Sequence, residues 1–269
     1  MSGASGVGHI LAAGPGFNAP GPSDFRLPGF FHSDSILATK SSLLLVLAAL
    51  MVVVLFVASS RRRAVVPSRL QYAGESAYSF VRNDIARDII GERDFIKYVP
   101  LLVSLFFFIL VANLFGLVPV LQFPAFSRAS FAYAMAAMVW LIYNGIGIRR
   151  KGLGKYAKDT MVPSGVPKLM LVLLIPLEFL SNIIVRPITL SLRLFANMFA
   201  GHLLLLLFAS GADYLLITAT GPLVKPAGVL SFALGIFVGF LEFIVEVLQA
   251  YVFTLLTATY ISGALAAEH

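Results

Sequence analysis

The sequence predicts an all-α membrane protein with about five transmembrane helices and one amphipathic helix on the membrane surface. Hydrophobic residues make up 59% of the 269 and charged residues 12%, whereas soluble domains are about 45–50% apolar and about 25% charged. Uncharged runs long enough to cross a hydrocarbon core of about 30 Å recur along the chain. Most basic residues stand in short clusters beside these runs, which is typical of loops that set membrane orientation.

Charge and composition also exclude several classes of site and partner. The 20 Lys and Arg residues exceed the 13 Asp and Glu residues by 7; in a soluble protein this would suggest nucleic acid, but here it indicates orientation in a lipid bilayer. The absence of cysteine excludes disulfides and thiolate metal sites. The four histidines (His9, His32, His202 and His269) are too scattered to suggest a metal site. We therefore expect no cofactor, no metal and no nucleic acid.

The amino-terminal part predicts an extended arm followed by the first span. Residues 1–36 contain seven glycines and four prolines without helical periodicity, so residues 1–40 are expected to form an extended arm. Residues 41–60 are apolar and are followed by three arginines at 61–63. Because the arm is too long for the basic region of a signal peptide, and arginines stand where a cleavage site should be, we expect a retained span.

Residues 68–97 differ from the spans on either side. Acidic and basic residues alternate there with apolar residues at helical spacing, including Phe80, Val81, Ile85 and Ile89. This pattern predicts an amphipathic helix on the membrane surface; a short solvated helix is the alternative.

Two further spans follow as a hairpin over residues 98–148. Residues 98–121 and 129–148 carry no charge, and the connection between them is short. Six basic residues then crowd the segment 149–168: Arg149, Arg150, Lys151, Lys155, Lys158 and Lys168. The positive-inside rule places this segment and residues 61–97 in the cytoplasm, with the amino terminus outside and the carboxyl terminus inside.

The last two spans, within residues 167–267, are too long to stand upright. Residues 167–208 are largely apolar, which gives about 60 Å as a helix, twice the hydrocarbon thickness. Residues 229–267 repeat the mismatch. Helices of this length must be steeply tilted or broken to fit within the membrane. A steep tilt exposes polar groups at mid-membrane, and these need a protein partner or water. Residues 41–269 are therefore expected to form a single membrane domain.

These two spans contain a small set of polar residues. An arginine inside a membrane costs between about 2.5 and more than 10 kcal/mol, so Arg193 should face a carboxylate or water, and it remains charged. At helical spacing, Asn197 lies on nearly the same face as Arg193, and His202 lies on the opposite face. Glu242, Glu246 and Gln249 share one stripe of the last helix, at spacings of four and seven residues from Glu242.

Ionisable groups inside a membrane can relay protons. An alternative is that Arg193 pairs with Glu242 or Glu246 and holds two helices together, and that His202 is only a structural hydrogen-bond donor. An ion channel or secondary transporter is a second functional class, although the chain shows no internal repeat. A structural anchor would leave Arg193, His202 and Glu242 unexplained, and the motifs of membrane hydrolases and of nucleotide-binding loops do not occur.

Several motifs resemble the a subunit of F-type ATP synthases, most closely its actinobacterial members. They are SLRLFANMFAGHLLLLL (191–207), QAYVFTLL (249–256), RPITL (186–190) and ANLFGLVP (112–119), supported by EFLSNIIVRP (178–187) and YISGALAAEH (260–269). The resemblance covers residues 68–266 in consistent order.

The resemblance implies a non-catalytic stator subunit in a bacterial plasma membrane, with the mitochondrial inner membrane as the alternative. Its partners would be a ring of c subunits, a b-subunit peripheral stalk and the rest of the ATP synthase. The two final helices would lie steeply tilted along the ring. Arg193 would face the carboxylate of each passing c subunit, favour its deprotonated form and block a direct leak of H⁺ between two aqueous half-channels.

The resemblance also assigns the remaining polar residues. His202 and Glu242, together with Asn197, Gln249 and Asn113, would line the outer half-channel, and Glu178 would serve the inner one. Glu178 precedes Arg193 by fifteen residues, where many members of the family have fourteen. One extra residue turns a helix by about 100°, so either a helical bulge absorbs it or Glu178 does not serve the inner half-channel.

Overall fold

The computed structural model describes residues 17, 19–21, 40–60, 68–118, 125–162, 168–219, 221 and 224–266. Within these ranges the chain is helical and contains no strand. The helices are α1 (Lys40–Ser60), α2 (Arg69–Phe80, Val81–Arg87 and Asp88–Ile90), α3 (Phe95–Leu114), α4 (Ala129–Lys151), α5 (Leu153–Met161), α6 (Lys168–Leu180, Ser181–Val185, Arg186–Asp213 and Tyr214–Thr218) and α7 (Val224–Leu265). Five of them, α1, α3, α4, α6 and α7, are long and apolar enough to cross a membrane. The predicted all-α fold with five spans is confirmed.

The predicted amino-terminal arm lies largely outside the described residues. Phe17 is described, and its ring centroid lies 5.4 Å from that of Tyr214 near the end of α6. This part of the arm therefore lies beside the end of the long helix α6.

Two helix boundaries differ from the sequence-based expectation. The predicted surface helix 68–97 ends at Ile90, because Gly91 adopts a left-handed conformation with φ of 89°. Residues 95–97 instead begin α3. That helix ends at Leu114, where the amide of Gly116 donates a hydrogen bond of 2.8 Å to the carbonyl of Asn113 and turns the chain.

Ion pairs join the ends of α3, α4 and α5, whereas the transmembrane hairpin expected over residues 98–148 stays a prediction. Arg150 at the end of α4 donates a hydrogen bond of 2.6 Å from Nη1 to Oδ2 of Asp94, immediately before α3. The hydrogen bond to Arg150 holds the pKa of the Asp94 carboxyl below its usual range. Lys151 forms a second ion pair of 3.2 Å with Asp159 in α5. These pairs bring the start of α3, the end of α4 and α5 together.

These charged residues therefore lie at one end of the helical bundle. We call this end, which contains Asp94, Arg150, Lys151 and Asp159, the basic end. The end of α1 is there too, because Ser59 lies against Gly74 in α2. The end of α7 joins them, since the rings of Tyr260 and Tyr143 are 5.4 Å apart. The start of α1, the end of α3 and the start of α7 lie at the opposite end. This arrangement agrees with the five-span path that the sequence predicts.

The spans in α6 and α7 contain 49 and 42 residues, or about 70 and 60 Å at 1.5 Å per residue. Neither helix is interrupted within its described range, although α6 contains two π-helical segments. The two helices pack against each other, and α3 and α4 pack against the pair. The predicted overlong helix pair is confirmed.

Large apolar side chains remain exposed along the two long helices, among them Ile188, Leu192, Phe237, Phe240 and Ile244. A hydrophobic surface of this kind needs lipid or a protein partner to cover it.

Candidate functional site

Three ionisable side chains meet in the interior where α6 and α7 pack together. His202 is 6% exposed, Glu242 5% and Glu246 3%. Nδ1 of His202 contacts Oε1 of Glu242, and this contact is an ion pair when the imidazole is protonated. Atoms of the imidazole and of both carboxylates lie within 4.8 Å of one another. The predicted stripe on α7 therefore faces the protein interior, opposite the histidine of α6.

Two glycines make room for this group. A side chain at Gly116, just beyond α3, would overlap the imidazole ring of His202. A Cβ atom at Gly201 would lie 2.7 Å from Oε1 of Glu242. Because real Cβ contacts are not this short, the positions of His202 and Glu242 depend on the absence of side chains at Gly116 and Gly201.

Amide side chains extend the polar group in two directions. Nδ2 of Asn113, which is fully buried in α3, donates a hydrogen bond of 3.3 Å to the backbone carbonyl of Glu246. Nδ2 of Asn197 in α6 donates a hydrogen bond of 3.0 Å to Oε1 of Gln249 in α7. The structure thus brings together all five residues that the sequence analysis placed on the outer path, and adds Glu246.

Several buried polar atoms in this group have no hydrogen-bond partner within the described residues. They are Oε2 of Glu242, both carboxylate oxygens of Glu246, Nε2 of His202, Oδ1 of Asn113 and Nε2 of Gln249. Unpartnered buried polar groups are costly, and water or exchangeable protons usually satisfy them. The arrangement therefore suits groups that hold and pass protons.

In the sequence His202 is an isolated histidine, whereas the fold places two carboxylates beside it. Its nearest ionisable neighbours come from α7, forty residues or more along the chain, so spacing in the sequence could not reveal them. One cation could span the distances between the imidazole and the two carboxylates. That the chain holds no metal stays a prediction.

Arg193 lies on the other side of α6. It is exposed, whereas its neighbours Leu190 and Leu194 are buried at 2% and 0% exposure. Among the described residues its guanidinium forms no ion pair. The alternative of an internal pair with Glu242 or Glu246 is therefore not what the structure shows. A fixed positive charge on an exposed apolar surface inside a membrane requires a carboxylate or water from outside the chain.

Glu178 lies on the first part of α6, at some distance from the buried group. Asn182 donates from Nδ2 to the backbone carbonyl of Glu178 at 2.9 Å and to its Oε2 at 3.3 Å. Between Glu178 and Arg193 the helix passes through the π-helical segment Ser181–Val185. A π-helical turn accommodates one additional residue within an α-helix. The structure thus contains the bulge that the fifteen-residue spacing allowed as one alternative.

A polar cavity of about 270 Å³ opens at the basic end, beside Asn182. Its walls include Tyr143, Lys151, Tyr156, Asp159, Asn182 and Arg186. Burial raises the pKa of the Tyr156 phenol. The backbone carbonyl of Asn182 accepts hydrogen bonds from Nε1 of Trp140 at 3.2 Å and from the Tyr143 hydroxyl at 3.3 Å. The cavity and Glu178 share Asn182 as a common neighbour.

Sequence reasoning missed most of these cavity residues. Asn182 is a polar residue in an otherwise apolar run, which is a signal that could have identified it. Tyr156 and Asp159 stand in a charged segment with no distinguishing pattern, and only the packing of α5 beside α6 brings them to the cavity.

Comparison with known proteins gives a consistent result. The family model described as "ATP synthase A chain" matches residues 41–262. The chain belongs to this family. Proteins named "ATP synthase subunit a" are 53% identical over 96% of both chains in Nocardioides sp., 55% identical over 76% of both chains in Pseudarthrobacter chlorophenolicus, and 43% identical over 96% of this chain and 88% of the relative in Parafrankia sp..

Membership of the ATP synthase A chain family agrees with the fold. The family consists of non-catalytic membrane subunits of the ATP synthase, and the five apolar helices make this chain a multi-pass bacterial membrane protein involved in ion transport. The actinobacterial resemblance predicted from the motifs is confirmed. The alternatives of a solitary transporter, a structural anchor and a membrane hydrolase are set aside.

Proposed function

We propose that the chain translocates protons as the stator against which a ring of c subunits turns, with Arg193 as the fixed charge that faces the ring. The observation that carries this proposal is the exposed, unpaired position of Arg193 on the described surface of α6. A carboxylate on each passing c subunit would supply its partner. Arg193 would favour the ionised form of that carboxylate and prevent protons from bypassing the ring.

The group at His202 and Glu242, with Asn113, Asn197 and Gln249, would form the outer half-channel. It is buried, it lies where α3 ends, and it contains polar atoms without partners in the described chain. His202 follows Arg193 by nine residues, or about 14 Å along α6. The Asn197–Gln249 hydrogen bond extends this group towards the face that carries Arg193.

Glu178 would serve the inner half-channel, together with the cavity at the basic end. Asn182 connects the two, since it bonds Glu178 and lines the cavity. Glu178 precedes Arg193 along α6, whereas His202 follows it. Arg193 therefore stands between the two polar sites along the helix, as a barrier between half-channels requires.

The orientation and partners follow from the same arrangement. The basic end would face the cytoplasm by the positive-inside rule, which leaves the amino terminus outside. The c-ring would cover the exposed apolar face around Arg193, and the b-subunit stalk would hold the chain against rotation. The domain limits proposed from the sequence, an arm over 1–40 and a membrane domain over 41–269, are retained.

Replacing Arg193 by alanine tests the proposal. In inverted membrane vesicles, Arg193→Ala is expected to abolish ATP-driven proton pumping while the complex still assembles, because the ring carboxylate loses its fixed counter-charge. Leu192→Ala is the matched control, since it truncates the exposed neighbouring side chain and keeps the charge. Pumping at the normal rate by Arg193→Ala would refute the role of this residue.

A further inference from the structure

Glu246 is the one carboxylate of the buried group to which the proposed function gives no role. It lies one turn after Glu242 on α7 and is 3% exposed. Its carboxylate comes within 4.8 Å of both the imidazole of His202 and the carboxylate of Glu242. Neither of its oxygens has a hydrogen-bond partner within the described residues.

The charges in this group limit what Glu246 can be. His202 and Glu242 already contact each other, and a protonated imidazole would balance only one ionised carboxylate. A second ionised carboxylate at this distance would be buried and unbalanced, which is costly in a membrane interior. A proton on Glu246 would remove that unbalanced charge. A carboxyl that holds a proton also becomes a hydrogen-bond donor.

Along α7, Glu246 lies between the His202–Glu242 pair and Gln249. Glu246 follows Glu242 by four residues and precedes Gln249 by three, so all three lie on one face of the helix. Gln249 accepts the hydrogen bond from Asn197, which is exposed one turn after Arg193 on α6. Glu246 thus stands between the His202–Glu242 pair and the amide pair that reaches the face of Arg193.

The helix α3 fixes the backbone at this point. Asn113 donates its hydrogen bond to the carbonyl of Glu246 itself. Among the His, Asp and Glu side chains that the structure describes, those that face Glu246 are His202 from α6 and Glu242 from α7. The helix α3 contributes the neutral amide of Asn113.

We propose that Glu246 is a third proton-binding group, which receives each proton from the His202–Glu242 pair and passes it towards Gln249 and Asn197. In the first transfer an O–H bond forms on a Glu246 oxygen as the bond between that hydrogen and its donor atom in the His202–Glu242 pair breaks, and the pair is left with one proton fewer. In the second the O–H bond on Glu246 breaks as the proton passes to a water molecule beside Gln249. This inference rests on the proposed function, because it adds a step to the outer half-channel.

Passive proton conduction through the membrane sector, measured in vesicles after removal of the soluble sector, tests this step. Glu246→Gln keeps the shape of the side chain but cannot carry a proton, and it is expected to reduce conduction by at least about tenfold. Glu246→Asp keeps a carboxyl and is expected to retain much more conduction than Glu246→Gln. Thr254→Val is the matched control, because it removes a buried hydroxyl that bonds only within α7.

Chemical rescue separates proton transfer from packing. In Glu246→Ala, added formate is expected to restore conduction, since a small carboxylic acid can occupy the vacated space, whereas formamide is not. Normal conduction by Glu246→Gln would overturn the inference, and so would equal defects in Glu246→Gln and Glu246→Asp, or loss of assembly in all three variants.

The failure of this inference differs from the failure of the proposed function. If Glu246→Gln conducts normally while Glu242→Gln is impaired, the outer half-channel stands and Glu246 is not part of it. If Glu242→Gln and His202→Ala also conduct normally in assembled complexes, the outer half-channel itself is refuted.

Discussion

Arg193 and His202, both in the second half of α6, face opposite ways. Arg193 is exposed and His202 is buried against Glu242. In the proposed function this difference matters, because a permanent charge suits a surface that meets a moving partner, whereas a titratable imidazole suits an enclosed path. Glycine at 116 and 201 leaves the space that the imidazole and the Glu242 carboxylate occupy.

Gly201→Ala tests this dependence without changing any ionisable group. The new methyl group would meet Oε1 of Glu242 at 2.7 Å and displace the carboxylate. We expect ATP-driven pumping to fall severalfold in assembled complexes. Gly145→Ala is the control, because a Cβ atom there meets nothing within 4 Å. Equal pumping by the two variants would show that the position of the Glu242 carboxylate is not critical.

Helical spacing predicted the opposed faces of Arg193 and His202 correctly, since nine residues correspond to two and a half turns. Spacing could not predict that Glu242 pairs with His202 and not with Arg193. That choice depends on how α6 and α7 are offset, and the offset is set by contacts along both helices. For the same reason the sequence left Glu246 without a role.

The helix α6 is one element with two polar regions of different geometry. Its first part carries Glu178 and Asn182, and Asn182 bonds both α4 and α5 as well as Glu178. Its second part carries Arg193 and His202, and the π-helical segment Ser181–Val185 joins the two parts. The π-helical turn sets the rotation of Glu178 relative to Arg193, because one residue corresponds to about 100°.

Deleting Ile184 tests the role of this segment. The deletion would convert the π-helical turn to an α-helix and rotate the first part of α6 by about 100° relative to Arg193. Because Asn182 is anchored to α4 and α5, either its hydrogen bonds or the alignment of Glu178 must be lost. We expect assembled complexes whose pumping is reduced by at least about tenfold, in line with the loss of a positioned proton carrier.

The substitution Ile184→Ala is the control for the deletion, since it shortens an exposed side chain without changing the length of the helix. Normal pumping by the deletion variant would mean that the register of Glu178 does not matter.

The sequence predicted this element in part. The run of about forty apolar residues indicated an overlong helix, and the fifteen-residue spacing pointed to a bulge as one of two outcomes. The location of the bulge at Ser181–Val185 was not predictable, because Asn182 within it is hydrogen-bonded to the neighbouring helices α4 and α5. Those bonds are long-range contacts without a local pattern.

At the scale of the whole molecule, two polar regions lie on either side of Arg193 along the helix pair. One lies where α3 ends, around His202, Glu242 and Glu246, and the other opens at the basic end beside Asn182. The surface around Arg193 is apolar and uncovered, with Ile188 and Leu192 exposed. Membership of the ATP synthase A chain family makes the rest of that complex the source of the partner.

The class of fold and the path of the five spans were predictable from composition and charge alone, because lipid imposes simple rules on length and on basic residues. The cavity at the basic end was not, since Tyr143, Asp159 and Asn182 come from three separate helices. A contact face with a separate chain is likewise not encoded in the spacing of one sequence.

Cysteine crosslinking to the c subunit tests most directly whether the face of Arg193 meets the ring. The chain contains no cysteine, so each introduced thiol is the only one it carries. Cysteines at the exposed positions Ala196, Asn197 and Ala200 are expected to crosslink to a cysteine on a c-subunit helix, whereas cysteines at the buried positions Leu194 and Met198 are not. Absence of crosslinks from all three exposed positions in assembled complexes would contradict the proposed contact.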